Sequence, residues 1–490
     1  MSRINYGVIT LIPKTVGATD IRQFRPIMVI NVLECIFSKV CATHLAPVAE
    51  RLDHPLQTAF LKGRQIHDGI LALHEIVHEV RTRGHKGFFL ELDFHKAYDR
   101  LDWSFLRTAI NINGEVGPFF MSSAGVKQGD PISPLLFNID VHALVGILDK
   151  ARTVGHISGV VGHLIPEGGV THLQYADDTV IMVEGSTLDI VNLKFLLLCF
   201  EAMSGLKINF DKSEVVIADN LNCGLASFPI TYLEIPMADS KILMSVLDLL
   251  VQWVARRAEP WHGRFTSKGS KSILSFANLV SLPMFLVGLY ILPEGVHGSF
   301  DKELTGFFWQ AADGRQKYHM VKWANICRPK DQGGLGIMAS HRMNVALMLR
   351  WVWRIMRGEG GLWLQLIQAK YLRGEPLLAC SRPGGSRFWR SNQKIKEDSR
   401  LEISFTIGNG DGTQWLDPWM GTETLRVGFP TLFSRFTDLS ILVSEASRSG
   451  QWDIRSCRMF GQAEHVEWTR LLAALPPVLP DYPDTVSWRL

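Results

Sequence analysis

The chain has 490 residues, of which 47% are apolar and 20% charged, and its net charge is +3. That balance excludes a disordered or fibrous polypeptide and allows about two to four globular domains. Residues 241–400 hold 24 Lys+Arg against 11 Asp+Glu (+13), and the remainder 27 against 37 (−10). A basic block beside an acidic remainder fits a polyanion grip next to a metal-binding centre, and also a merely solvated basic surface.

In chain order, "GVITLIP" (7–13) predicts a strand, and "DGILALHEIVHEVRTRG" (68–84) a helix with apolar residues at 70, 73, 76, 77 and 80. "GFFLELDF" (87–94) predicts a strand that delivers Asp93 at its C-terminal end. "SPLLFNIDVHALVGILDKA" (133–151) is a long amphipathic helix opened by Ser133-Pro134. "THLQYADDTVIMVE" (171–184) predicts a β-hairpin whose tight turn carries Asp177 and Asp178. "LDIVNLKFLLLCFEAMSG" (188–205) is a helix stopped by Gly205.

Beyond about residue 240, helices rich in Trp, Leu and Arg are expected; in "MNVALMLRWVWRIMRG" Arg350, Arg354 and Arg357 fall on roughly one face. The apolar run 273–292 is about long enough to span a bilayer, but Asn278 and Pro283 interrupt it. Two buried helices joined near Pro283 are the expectation, with no membrane contact. Seven scattered cysteines lack C-x2-C or C-x4-C spacing, so neither a disulfide framework nor a structural zinc site is indicated. No signal-peptide plan opens the chain, which points to the nucleus or cytoplasm.

Two carboxylate sites at separate strand ends, Asp93 and Asp177, converge if their strands are neighbours in one sheet. Joined by Asp178 they would form an anionic pocket suited to a hard cation such as Mg2+ and to in-line displacement at phosphorus.

"LELDFHKAYDRLDW", "GVKQGDPISPLLFNI" and "QYADDT" occur in an order that resembles the reverse transcriptases of plant non-LTR (LINE-type) retrotransposons. "ITLIPK", "DIRQFRPIMVINVLECIFSKVCATHLAP" and "HPLQTAFLKGRQIHDGI" resemble the fingers of that family, and "MSGLKINFDKSEVV", "FPITYLEIP" and "WLDPW" continue the likeness. The resemblance implies an α+β right-hand polymerase. It would have fingers over 1–90, an antiparallel-sheet palm over 91–240, a basic helical thumb over 241–400 and a mostly helical C-terminal extension over 401–490. It implies RNA-directed DNA synthesis on an RNA template with a DNA primer and dNTPs, using two Mg2+ ions, with Mn2+ as a possible substitute. Asp93, Asp177 and Asp178 would be the catalytic and metal-binding acids. Tyr98 would exclude a ribose 2′-OH, and Gln128 would lie against the incoming nucleotide, with Gly129 allowing close backbone approach. Lys14 and Arg25 would grip the triphosphate, and Lys212, with Lys207 as competitor, would protonate pyrophosphate. Taken singly, Tyr98 reads as a core aromatic, Arg25 as a turn residue and Lys212 as a solvated lysine.

"HEIVH" (74–78) also fits the H-E-x-x-H zinc-protease signature. "EVRTRGH" does not continue it as metzincins do, so His74 and His78 are expected at the surface of an amphipathic helix. The sequence departs from the retrotransposon pattern in several places. Only 32 residues separate Asp93 from Gly125, Ala124 stands where arginine is usual, and Glu234 replaces a glycine. The stretch between "SEVVIADN" and "CGLASFP" is shortened, and "TQWLDPW" is one residue short. With no endonuclease part ahead of Met1 and no zinc-binding segment after "SWRL", the pattern predicts a shortened copy with weak or no turnover. A catalytically dead nucleic-acid binder is therefore the alternative reading, with oligomeric state undetermined.

Overall fold

The computed structural model describes the chain apart from residues 1–7, 15–16, 53, 86, 103–124, 167, 210–212, 219–229, 234, 238–243, 259–266, 276–278, 280–286, 310–319, 376, 379, 381, 400–402, 411–412, 414–418, 421–424, 435–440, 449–450, 453–460, 477–478, 483 and 489–490. Lys212, Ala124, Glu234, the stretches at 103–124 and 219–229 that the sequence reads as shortened, half of 273–292 with Asn278 and Pro283, and most of "TQWLDPW" thus lie outside the described residues. The chain divides into two compact units, Met1–Asp239 with Gly361–Leu366, and Ser240–Gly360 with Ile367–Leu490.

The first unit opens with an antiparallel hairpin, β1 (Val8–Pro13) and β2 (Phe24–Val29), followed by helix α1 (Val32–Leu52). Val32–Arg51 is long and apolar enough, by length and composition, to cross a membrane. Helix α2 (Ile66–Arg83) ends where Gly84 adopts φ 64°, its amide donating to Arg81 O. β3 (Gly87–Leu92), a short helix α3 (Ala97–Arg100) and the long α4 (Ser133–Val154) follow. The unit continues with β4 (His172–Tyr175), β5 (Asp178–Val183), helix α5 (Thr187–Ser204) and β6 (Glu214–Ala218). A small antiparallel pair, β7 (Ile230–Tyr232) and β8 (Ile235–Met237), completes it.

Four strands form one antiparallel sheet in the order β4-β5-β3-β6. Successive side chains on a strand point to opposite faces. One face of β3 sends Phe88, Leu90 and Leu92 into a core with Phe137, Leu144 and Leu148 of α4 and with Leu193, Leu197 and Phe200 of α5. On the other face Phe89 and its register partner Met182 are also buried. Covering on both faces is why "GFFLEL" and "DTVIMV" read as nearly unbroken apolar runs rather than alternating ones. Fully burying a side chain such as Phe137 or Phe200 stabilises by about 1.5–3 kcal/mol.

The described core of α2 overturns one expectation. His74, Glu75, His78 and Glu79 are all buried, with Glu75 at 0% exposure, and burial is unbroken from Gly69 to Val80. The helix lies against β4, and its polar residues are held internally. Glu79 Oε1 accepts from Arg83 Nε at 2.5 Å and faces His163 Nε2 at 3.1 Å, while His78 O accepts from Thr82. The apolar periodicity at 70, 73, 76, 77 and 80 identified the helix but not its full enclosure.

The second unit is mainly helical, with α6 (Met244–Ala258), α7 (Lys268–Leu274), α8 (Glu294–Trp309), α9 (Ser340–Met356), α10 (Arg387–Ser399) and α11 (Gln462–Ala474) among its elements. It also contains β9 (Ile403–Thr406), paired antiparallel with β10 (Thr485–Trp488). Helices α9 and α10 pack through Trp351 and Phe388, whose rings meet edge-on at 5.4 Å. Asn344, 1% exposed, is satisfied by Val287 O, Tyr290 O and Leu292 N. The expected arginine face of α9 divides: Arg350 and Arg357 are exposed, but Arg354 is buried with its guanidinium 5.0 Å from the Trp351 ring centroid.

Candidate active site

The sheet register brings two strand ends together. Leu92 of β3 pairs with Thr179 of β5, and Tyr175 of β4 pairs with Asp178, so the β4–β5 turn is Ala176-Asp177 and Asp93 leaves β3 beside it. Ala176 takes φ 55°, unusual for a residue with a Cβ, and its amide donates to Gln57 Oε1 at 3.3 Å. The "HPLQTAF" segment runs along β4, with Gln174 N donating to Leu56 O and Thr58 N to Gln174 O. Gln57 is buried and held in turn by Asn138 of α4. It props the turn that presents Asp177.

Asp93 is fixed from the "INFDKS" segment. Asn209 Nδ2 donates to Asp93 Oδ2 at 3.0 Å, Asn209 N donates to Asp93 O at 2.8 Å, and Asp93 N donates to Ser213 Oγ at 3.3 Å. Within this segment the sequence points to Lys212, while Asn209, three residues earlier in the same motif, is the residue that holds Asp93. Lys207 is exposed, and its carbonyl accepts from His95 N.

Asp177 keeps solvent access, yet the protein packed around it raises its carboxyl pKa above the ordinary value through desolvation. A backbone hydrogen bond opposes the rise, the negative charge of Asp93 adds to it, and the positive charge of Arg25 on β2 lowers it again. Burial pushes the Tyr98 phenol up to about 12, and the charge of Asp177 contributes. The Tyr98 ring stacks on Phe137, centroids 5.0 Å apart and planes 12° from parallel. Asp93, Asp177, Arg25 and Tyr98 therefore share one electrostatic neighbourhood.

Asp178, the next residue and the first of β5, also reaches a second neighbourhood. Its charge acts on Tyr175 and on the buried Tyr232, raising both phenols behind the larger effect of burial. Among the described residues, no three His, Cys, Asp or Glu side chains gather closely enough to hold one metal ion. The structure brings Asp93 and Asp177 together with Asp178 next to them in the chain, and among the described residues His74 and His78 likewise gain no third ligand. Two repelling carboxylates are a donor set that a hard divalent cation neutralises, so the pair fits such an ion.

The "KQGDP" segment is clamped to the hairpin and α1. Met28 N donates to Gln128 O at 2.9 Å, Lys127 pairs with Glu34, and Ser38 Oγ donates to Asp130. Gly129 has φ 106°, and a Cβ there would lie 2.8 Å from Met28 O. The close approach that requires glycine is thus to the protein's own β2 backbone. Gln128 is half-buried, and Lys14, just after β1, is exposed with its amide donating to Gln23 O.

An antiparallel sheet backed by two helices, with acids at two adjoining strand ends and an arginine-bearing hairpin beside them, defines a polymerase palm. Residues 12–240 match the family "Reverse transcriptase (RNA-dependent DNA polymerase)". The chain is 31% identical over 200 residues to an Arabidopsis thaliana protein described as a ribonuclease H protein, covering 39% of this chain and 32% of that one. It is 32% identical over 232 residues to the retrovirus-related Pol polyprotein of the type-2 retrotransposable element R2DM of Drosophila melanogaster, covering 41% and 20%. An uncharacterized mitochondrial protein of Arabidopsis thaliana is 29% identical over 150 residues, covering 30% of this chain and 96% of its own length. Apo telomerase from Candida tropicalis aligns over 72% of this chain and 66% of its own at 11% identity, with a TM-score of 0.35. Residues 12–240 thus carry the likeness to reverse transcriptases, and the relatives that match include proteins of the retrotransposable element R2DM and of the transposon TX1 of Xenopus laevis. The chain spans 32% of the first of these relatives and 20% of the second. Reverse transcriptases work with divalent metal ions on a nucleic-acid template.

Proposed function

We propose that the protein is an RNA-directed DNA polymerase of a LINE-type retrotransposon, extending a DNA primer on an RNA template with dNTPs. The observation that carries this reading is the convergence of Asp93 and Asp177 at adjoining strand ends, beside Arg25 and Tyr98. When bound, two Mg2+ ions, or Mn2+ in their place, would supply charge neutralisation at the reacting phosphate and activation of the primer 3′ oxygen. Asp93 and Asp177 hold them, with Asp178 adding negative charge from the next position. Asn209 keeps the Asp93 carboxylate oriented, and Gln57 keeps the turn carrying Asp177 in place. Arg25, with Lys14, meets the triphosphate and offsets charge that shifts during transfer.

Tyr98, braced on Phe137, presents an un-ionised ring edge at the sugar and disfavours a 2′-OH. Gln128 lies along the incoming nucleotide, its segment set by Gly129 against β2. Lys212 protonates the departing pyrophosphate.

Primer extension on an RNA template with Mg2+ and dNTPs tests the reading. Extension by the purified chain, abolished in Asp177→Asn, is expected. Template binding without extension by the wild type would instead make the protein a nucleic-acid binder.

A further inference from the structure

Helix α5, Thr187–Ser204, has two apolar faces and uses one. Leu193, Leu197 and Phe200 are buried under the sheet. On the other side Leu188, Val191, Phe195 and Leu198 are 67%, 59%, 66% and 47% exposed, and the exposed Ala202 continues the row. Their separations are 3, 4, 3 and 4 residues. That alternation has a mean period of about 3.5, the repeat of a seam between two coiled helices rather than the 3.6 of a face on a globular core. Scattered exposed apolar residues call for no explanation, but a row of four large ones in register does.

We propose that this face joins two copies of the chain through an antiparallel pairing of their Thr187–Ser204 helices. Charge decides the occupant and the direction. Lys194 and Glu201 flank the row seven residues apart, roughly 10 Å along the axis and too far to pair within one helix. With Phe195 set against Leu198 of a second copy, and Val191 against its Ala202, an antiparallel pair places Lys194 of each copy beside Glu201 of the other. Both ion pairs form at once through the twofold axis. A parallel pair places Lys194 against Cys199 instead and makes neither. Glu201 is already held in position, because its Oε1 accepts from Ile208 N at 2.6 Å, leaving Oε2 for the incoming lysine. Antiparallel alignment also sets opposite ends of the two helix dipoles together. The same register places Asn192 opposite Cys199 of the second copy.

The test is sedimentation velocity on the full chain over a wide concentration range, with and without a register-specific cross-link. A concentration-dependent dimer is expected. Phe195→Glu, an exposed position, should leave circular dichroism unchanged and abolish the dimer. Lys194→Glu should weaken it by about threefold to tenfold, in line with two exposed ion pairs. Asn192→Cys under mild oxidation should give a disulfide to Cys199 of the other copy, mapped by peptide mass spectrometry. A monomer at every concentration, a dimer that survives Phe195→Glu, or a dimer that forms no 192–199 cross-link would overturn the proposal.

Discussion

The two units place their charges differently. In the first, the informative charges sit at strand ends, where Asp93 and Asp177 meet in a partly desolvated but open site. In the second, several cations of the basic block are inside. Lys271 is 5% exposed and donates to Phe307 O, Arg354 is 7% exposed against Trp351, and Lys396 is 4% exposed and donates to Cys380 O. Burial also lowers the pKa of Arg387, whose guanidinium lies 5.5 Å from the Tyr290 ring centroid. A regional charge of +13 therefore overstates the charge available to a polyanion, because cations packed on aromatic faces serve the core.

The largest expected effect is at a buried acid of the palm that has no catalytic task. Asp140 of α4 is 0% exposed and has no hydrogen-bond partner among the described residues. Burial, with the charge of Asp102 adding to it, raises its pKa from 3.8 to about 7. A raised folded-state pKa contributes stability below the unfolded value and loses it as pH rises through the folded one. At neutral pH the acid is thus a net cost of about 2–4 kcal/mol, at 1.36 kcal/mol per pKa unit. Asp140→Val should raise stability by that order at pH 7.5 and flatten its decline between about pH 4 and 7. Urea titrations at several pH values measure both.

Next comes the contrast within α9. Arg354→Ala should destabilise by about 2–3 kcal/mol through lost packing and cation–π attraction, without a direct effect on template affinity. Arg350→Ala, at an exposed site, should change stability by less than about 0.5 kcal/mol. Its cost should fall instead on RNA binding and on the salt dependence of that binding. Thermal melts and filter binding of the two variants, side by side, separate buried from available charge.

At the palm site, Asn209→Ala releases the Asp93 carboxylate from its orienting hydrogen bond. A loss of about 10–100-fold in metal affinity or extension rate is expected, as for other groups that orient a ligand. The raised pKa of Asp177 has a pH consequence too. Protons compete for that carboxylate above the ordinary carboxylate range, so divalent-ion binding should weaken on mild acidification and recover as pH rises. Metal titrations at stepped pH check the sign.

The palm was legible because its signals are local. Gly87–Leu92, the β4–β5 hairpin and the helices ending at Gly84 and Gly205 follow from apolar runs, turn residues and glycines that accept a positive φ. What the sequence hid depends on contacts between distant segments. Nothing local marks Gln57 as the prop of a turn 119 residues later, or Asn209 as the orienter of a carboxylate 116 residues earlier. The enclosure of His74 to Glu79 is likewise set by the elements packed around α2, and periodicity reports one face only. The burial of Arg354 but not Arg350 turns on where Trp351 and its neighbours pack.

The most direct measurement is divalent-ion binding itself, followed by Mn2+ electron paramagnetic resonance or calorimetry on the wild type and on Asp93→Asn, Asp177→Asn and Asp178→Asn. The expected result is tight binding that is lost in the first two variants and reduced less in the third, because Asp178 adds charge from the next position while also acting on Tyr175 and Tyr232. Binding that depends on Asp178 as strongly as on Asp177, or on none of the three, would contradict a cation site built by Asp93 and Asp177.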